Sequence, residues 1–141
     1  MYKLVLDTNI FLSAFVFNGL LPQKIIDLVV DKKLRLCTSL ELKNEVFRKL
    51  NVLEAPKEML AKVRTLFSAS ATYTPQITIH ACRDPKDNYL LELAETAAAD
   101  YLITRDKDLL DLPKSRWKET KIVKPEDFLP LLRQMNLIEY E

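Results

Sequence analysis

The sequence predicts an α/β chain, a three-layer α/β/α sandwich around a central, mainly parallel sheet. Two observations lead there. Short apolar runs such as Lys3–Leu6, Leu34–Thr38 and Tyr101–Thr104 have the length and composition of buried strands. Longer stretches with helical spacing of apolar residues separate them. Strands that alternate with helices imply parallel βαβ units, with helices covering the sheet.

The elements follow in order. Lys3–Leu6 is the first strand, and a polar break comes at Asn18-Gly19. Pro22 opens a helix over about Gln23–Asp31, where Ile25, Ile26, Leu28, Val29 and Val30 favour burial of most of its surface. Leu34–Thr38 is the second strand, and Ser39 caps a helix that runs to about Leu50. Pro56 opens a third helix over about Lys57–Ser70, with Leu60, Val63, Leu66 and Phe67 on one side. Tyr73–Ala81 is rich in Thr, Ile and Tyr and predicts a strand around Ile77–His80. Pro85 precedes a long helix over about Lys86–Ala99. The strand Tyr101–Thr104, a short helix at Lys107–Leu110, the strand Lys121–Val123 and a helix from Pro125 to about Asn136 complete the chain. No repeat or inter-domain linker interrupts it, and residues 1–141 read as one domain.

Bulk composition removes several function classes. The chain has 141 residues, 48% of them hydrophobic, which is enough for one core. Its net charge of +1 leaves any polyanion contact to local patches. No apolar run approaches the length of a membrane helix, and no signal peptide is read before the first strand. A cytoplasmic protein is expected, with Cys37 and Cys82 as reduced packing residues, since they lack metal-ligand spacing. Gly19 is the one glycine, which excludes the glycine-rich phosphate loops of nucleotide-binding folds.

The acids carry the chemistry. Asp7 ends the first strand, and ligands of open α/β sheets bind beyond the carboxyl ends of strands. Asp106 follows the strand Tyr101–Thr104 and reaches the same edge if the two strands are parallel. Asp87 falls in the first turn of its helix and in register with Leu90, Leu91, Ala94 and Ala98, the stripe that faces the sheet. Glu45 flanks the face of Leu42, Val46, Phe47 and Leu50 and can reach back over the edge. Each has an ordinary reading too. Asp87 suits the positive end of a helix, Asp106 an N-cap, and Glu45 a pair with Lys49 one turn on. Four acids that converge repel one another and call for a cation. Hard oxygen ligands without a His or Cys cluster select Mg²⁺ or Mn²⁺ over zinc.

Four segments now resemble a known family. Asp7-Thr8-Asn9 is similar to the opening motif of PIN domains, and Ser39-Leu40-Glu41-Leu42-Lys43-Asn44-Glu45 to the second, which ends in an acidic site residue. Arg83-Asp84-Pro85-Lys86-Asp87-Asn88 is similar to the third motif, and Thr104-Arg105-Asp106-Lys107-Asp108 to the fourth. The resemblance runs in order over nearly the whole chain, nearest to the subgroup of toxin components of toxin–antitoxin pairs. It implies a PIN-like fold and a Mg²⁺- or Mn²⁺-dependent ribonuclease. Asp7, Glu45, Asp87 and Asp106 match its acidic catalytic and metal-binding quartet, with Thr8, Asn9, Thr104 and Arg105 beside the substrate. Asp84, Asp108 and Glu41 remain alternatives to their neighbours. Arg105 departs from the small residue common at that place. A cognate antitoxin and a homodimer are further implied.

Hydrolysis of a phosphodiester needs an activated water and neutralised phosphate oxygens, and carboxylate-held divalent ions meet both needs. On this reading Asp7 and Asp87 hold the principal ion, Glu45 orients the attacking water, and Asp106 completes the shell. RNA binding calls for nearby cations, and Arg83, Lys86, Arg105 and Lys107 flank the third and fourth motifs. His80 and Trp117 read as structural. Phe11, Phe15, Phe17 and Leu20 are an aromatic docking candidate, with plain core as the alternative. A binding module without turnover is the second function class. A phosphatase using Asp7 as nucleophile would want a second Asp where Asn9 stands, and a receiver domain would want an acidic pair near Asp7.

Overall fold

The computed structural model describes residues 1–139. Its elements are β1 (Lys3–Leu6), α1 (Thr8–Phe15), α2 (Leu20–Val30), β2 (Arg35–Ser39), α3 (Leu40–Val52), α4 (Lys57–Ser68) and β3 (Ala71–Tyr73). Then come α5 (Asn88–Ala97), β4 (Tyr101–Ile103), α6 (Lys107–Leu110), β5 (Arg116–Trp117), β6 (Thr120–Val123) and α7 (Pro125–Gln134), with 3₁₀ turns at Pro85–Asp87 and Pro113–Ser115. The sheet order is β3-β2-β1-β4-β6-β5, parallel throughout except for the β5–β6 pair.

Burial of the strands identifies the layers. Leu4, Val5 and Leu6 are consecutive and all fully buried, as are Leu102 and Ile103. A strand apolar on both faces is covered on both faces, the hallmark of a parallel sheet between helices. Helix α5 packs across β1, β2, β3 and β4, while α1 packs on α2 and α3. The α/β/α sandwich expected from the alternation is the architecture observed. No single helix among the described residues is long and apolar enough to cross a membrane.

Strand order positions the site. The chain starts in the middle of the sheet, moves outward through β2 and β3, then returns to the other side of β1 as β4. The direction of winding therefore switches between β1 and β4, where loops diverge and leave a crevice at the carboxyl ends. Leu6 is in register with Ile103, and the Asp7 amide donates to the Ile103 carbonyl at 3.0 Å. Asp7 and Thr104 consequently face each other across the crevice.

Several local expectations are corrected. Ile77–His80 forms no strand; its edge role falls to β3, and the Ile79 amide donates instead to Glu92 Oε2 at 3.0 Å. The helix expected from Lys86 begins at Asn88, because Asp84 caps a 3₁₀ turn by accepting from the Lys86 amide at 3.0 Å. Asp87 thus sits at the junction of turn and helix. Ala98 is exposed at the left-handed C-cap of α5, so it leaves the buried stripe. The apolar run Thr8–Phe15 is a helix, and α2 starts at Leu20, ahead of Pro22. Phe11 is core, stacked edge-on against Phe67, whereas Phe17 and Leu20 are exposed. Trp117 lies on β5 and donates to Glu95 at 3.0 Å. Gly19 sits in a tight corner: a Cβ there would lie 2.6 Å from Ser13 Oγ and 3.1 Å from the Ser13 carbonyl oxygen, so Ser13 would have to shift.

Candidate active site

The crevice opens into a cleft of about 950 Å³. Asp7, Thr8 and Asn9 line it from the β1–α1 corner, and Asp106 from the loop after β4. Asp84, Lys86, Asp87 and Tyr89 enter from the start of α5, and Glu41, Asn44, Glu45, Arg48 and Lys49 from one stripe of α3. All four acids expected at the edge share this cleft.

Asp7 is the most enclosed of them, 8% exposed. Thr104, itself fully buried, donates its hydroxyl to Asp7 Oδ2 at 2.7 Å and accepts from the Asp106 amide at 3.0 Å. One hydroxyl thereby ties the loop after β4 to the end of β1. Burial pushes the Asp7 carboxyl up from its ordinary range; the Thr104 bond opposes this, and the Asp106 charge adds to it. Asp87 is pushed up to about 7, first by burial, then by its contact with Asp106, then by the charges of Asp7 and Asp84. Carboxyl oxygens of Asp87, Asp106 and Asp108 all lie within 4.8 Å of one another. Like charges this close in a partly desolvated cleft hold a proton near neutrality or a cation in its place. The donors are hard oxygens, with His80 exposed and outside the cleft, so the set fits a magnesium-like ion.

Each acid also makes local contacts. Asp106 caps α6 by accepting from the Asp108 amide at 2.9 Å. Asp108 lies 3.4 Å from Arg83 Nε. Glu45 takes a two-point contact from Arg48, at 3.0 Å from Nε and 2.6 Å from Nη2, with Lys49 at 4.0 Å. The Arg48 hydrogen bonds hold the Glu45 carboxyl below its usual range. Thr8 Oγ1 lies 3.1 Å from the Tyr89 hydroxyl, and Asn9 Oδ1 accepts from Lys49 at 3.3 Å.

The basic residues differ most from sequence expectation. Lys86 lines the cleft. Arg105 reaches Glu126 on α7, and neither Arg83, Arg105 nor Lys107 is a lining residue. Arg48 and Lys49 take that place. Their signal was the spacing 41, 44, 45, 48 on α3, which puts them one turn beyond Glu45 on the same face.

Asn88 was read only as the end of a motif. Its buried Oδ1 accepts from the amides of Ala81 and Cys82 at 3.2 and 2.9 Å. This pins the irregular strand-free segment that delivers Asp84 and Asp87. Asn88→Ala leaves both amides without an acceptor and is expected to cost about 2 kcal/mol, read as a lower denaturation midpoint.

Comparison with known proteins identifies the family. A family model for the PIN domain matches residues 3–108, a span that includes all four acids. The chain belongs to the PIN-domain family. It is also 34% identical over 116 residues to the uncharacterized protein MJ1680 of Methanocaldococcus jannaschii, covering 78% of this chain and 74% of that one. PIN domains are in general nucleases that use divalent metals, and this PIN domain carries an acidic cluster at its sheet edge able to bind one.

Proposed function

We propose that this PIN domain, a single unit over residues 1–141, is a Mg²⁺- or Mn²⁺-dependent endoribonuclease that hydrolyses single-stranded RNA. One observation carries the proposal: Asp87 and Asp106, which line the cleft with Asp7 and Glu45, have carboxyl oxygens within 4.8 Å of each other and of Asp108. Asp7, Asp87 and Asp106 are the residues that would hold the ion, with Asp108 beside them. When bound, a divalent ion neutralises phosphate charge and lowers the pKa of water. Thr104 fixes the Asp7 carboxylate towards the site and keeps Asp106 at a set distance from it. Glu45 orients the attacking water and accepts its proton. The water oxygen bonds to phosphorus, the P–O3′ bond breaks, and the leaving O3′ takes a proton from solvent, so the products carry 5′-phosphate and 3′-hydroxyl ends. Thr8 and Asn9 shape the wall beside the substrate, and Arg105, held by Glu126, would reach the substrate only by leaving that pair.

Resemblance of the four motifs to toxin components supports a cytoplasmic toxin role with a cognate antitoxin and a homodimeric state; light scattering after size exclusion reads the last. A module that binds RNA with little turnover is the second reading, favoured by the Arg48 contact that occupies both oxygens of Glu45. Incubation of purified protein with a 5′-labelled single-stranded oligoribonucleotide and Mn²⁺ separates the two. Cleavage that leaves 5′-phosphates and stops with EDTA supports the enzyme. Intact RNA at every metal concentration supports the module, and metal-independent cleavage contradicts both.

A further inference from the structure

We infer that Arg48 is the phosphate-binding residue of the cleft, and that it exchanges the Glu45 carboxylate for a backbone phosphate of single-stranded RNA. The inference rests on the ribonuclease reading above and deepens it. Arg48 is the most exposed partner in the α3 pair, 63% against 29% for Glu45, so its guanidinium is open to a ligand. Side chains of a helix lean towards its N-terminus, which directs Arg48 from the third turn back to the acidic edge. The two-point grip on Glu45 presents the fork that also fits two phosphate oxygens. Lys49, on Asn9, stands beside it as a second cation.

Charge balance in the cleft supports the exchange. Asp7, Asp84, Asp87, Asp106, Glu41 and Glu45 face only Arg48, Lys49 and Lys86. A polyanion is repelled from such a cleft except along its basic wall. The backbone of that wall lies about one helical turn beyond Glu45 on α3, and its Arg48 guanidinium touches the Glu45 carboxylate. A strand that enters there places one phosphate on Arg48 and its neighbour near the acids. Once the guanidinium turns to the phosphate, Glu45 is free to act on water. The carboxylate of Glu45 thus competes with RNA for Arg48.

Binding of a fluorescein-labelled dodecauridylate, measured by anisotropy in Ca²⁺ over a series of salt concentrations, tests this without turnover. Arg48→Gln is expected to weaken binding about 10-fold and to flatten the salt slope by about 0.7, the loss of one phosphate contact on a single strand. Arg48→Lys is expected to restore the slope. Glu45→Gln is expected to tighten binding several-fold, and that gain is expected to vanish in the Glu45→Gln/Arg48→Gln protein. Arg64→Gln, on the exposed face of α4, is the control for general charge. Circular dichroism melts confirm that each variant is folded. An unchanged slope in Arg48→Gln overturns the inference, as does an equal gain from Glu45→Gln with and without Arg48. Absence of binding by the wild-type protein overturns it too. Failure of the ribonuclease reading is seen separately, as intact RNA in Mn²⁺ despite normal binding.

Discussion

Asp7→Asn is expected to abolish RNA cleavage while raising the melting temperature of the metal-free protein. The two effects have one cause. Asp7 is a buried carboxylate whose ionisation is opposed by desolvation and by the Asp106 charge. Asparagine has nearly the same shape, and its Oδ1 can still accept the Thr104 hydroxyl, so packing and the tie to β4 survive. Removal of a charge that the fold must keep in a low-dielectric place is then stabilising, by about 1–2 kcal/mol or a few degrees in Tm. Catalysis loses a charged ligand at the centre of the site, and kcat is expected to fall by about 1,000-fold or more. Calorimetric melting and single-turnover cleavage on the same preparation check both halves. A variant that is inactive because it is unfolded would show a lower Tm.

Stability of the metal-free protein is expected to fall as pH rises from about 5 to about 8, and divalent metal to remove that fall. The folded Asp87 carboxyl titrates at about 7, above the roughly 4 of an unfolded aspartate. Between those values the folded protein holds a proton that the unfolded chain has released, so stability is lost as pH climbs through the folded value. Asp7, also raised, contributes with the same sign. Glu45 and Glu126 are lowered, and their contributions are lost only as pH falls through the ordinary carboxylate range, outside this window. Water still reaches Asp87, so screening leaves about 1–2 kcal/mol across the window. Mn²⁺ at one hundred times its Kd would add about 2.7 kcal/mol, more at the alkaline end, where no proton competes. Melts at several pH values with EDTA and with Mn²⁺ measure both trends. A stability that rises with pH in EDTA contradicts the account.

Much of this was legible in the sequence because parallel strands bury both faces. Lys3–Leu6 and Tyr101–Ile103 announce themselves as short apolar runs, and Ser39 and Pro125 mark helix starts by their chemistry. Ile77–His80 misled for a physical reason. Its composition suits a strand, but the Ile79 amide finds Glu92 instead of a neighbouring ladder, and the next amides, of Ala81 and Cys82, find Asn88. Such partners are 6 to 13 residues away and invisible to local pattern. The onset of α5 moved because Asp84 captured the first turn.

The acids were legible as strand-end and helix-start residues, since topology alone carries those positions to one edge. Asp108 was left open beside Asp106, and its oxygens lie with those of Asp87 and Asp106. The basic wall was not found, because Arg48 and Lys49 lie past the end of the second motif, and Lys49 was read only as a partner of Glu45. Their role follows from the face of α3 that meets the cleft, which periodicity defines only once Glu45 is known to face it. Arg105 looked well placed beside Asp106, but the exposed Glu126 of α7, distant in sequence, holds it.

Titration of Mn²⁺ into EDTA-stripped protein by isothermal calorimetry, near neutral pH, tests the central claim most directly. The wild-type protein is expected to bind Mn²⁺ saturably with release of protons, and Asp87→Asn to lose most of that affinity while remaining folded. Absence of saturable binding by the wild-type protein, or equal binding by Asp87→Asn, would contradict a metal centre built on these carboxylates.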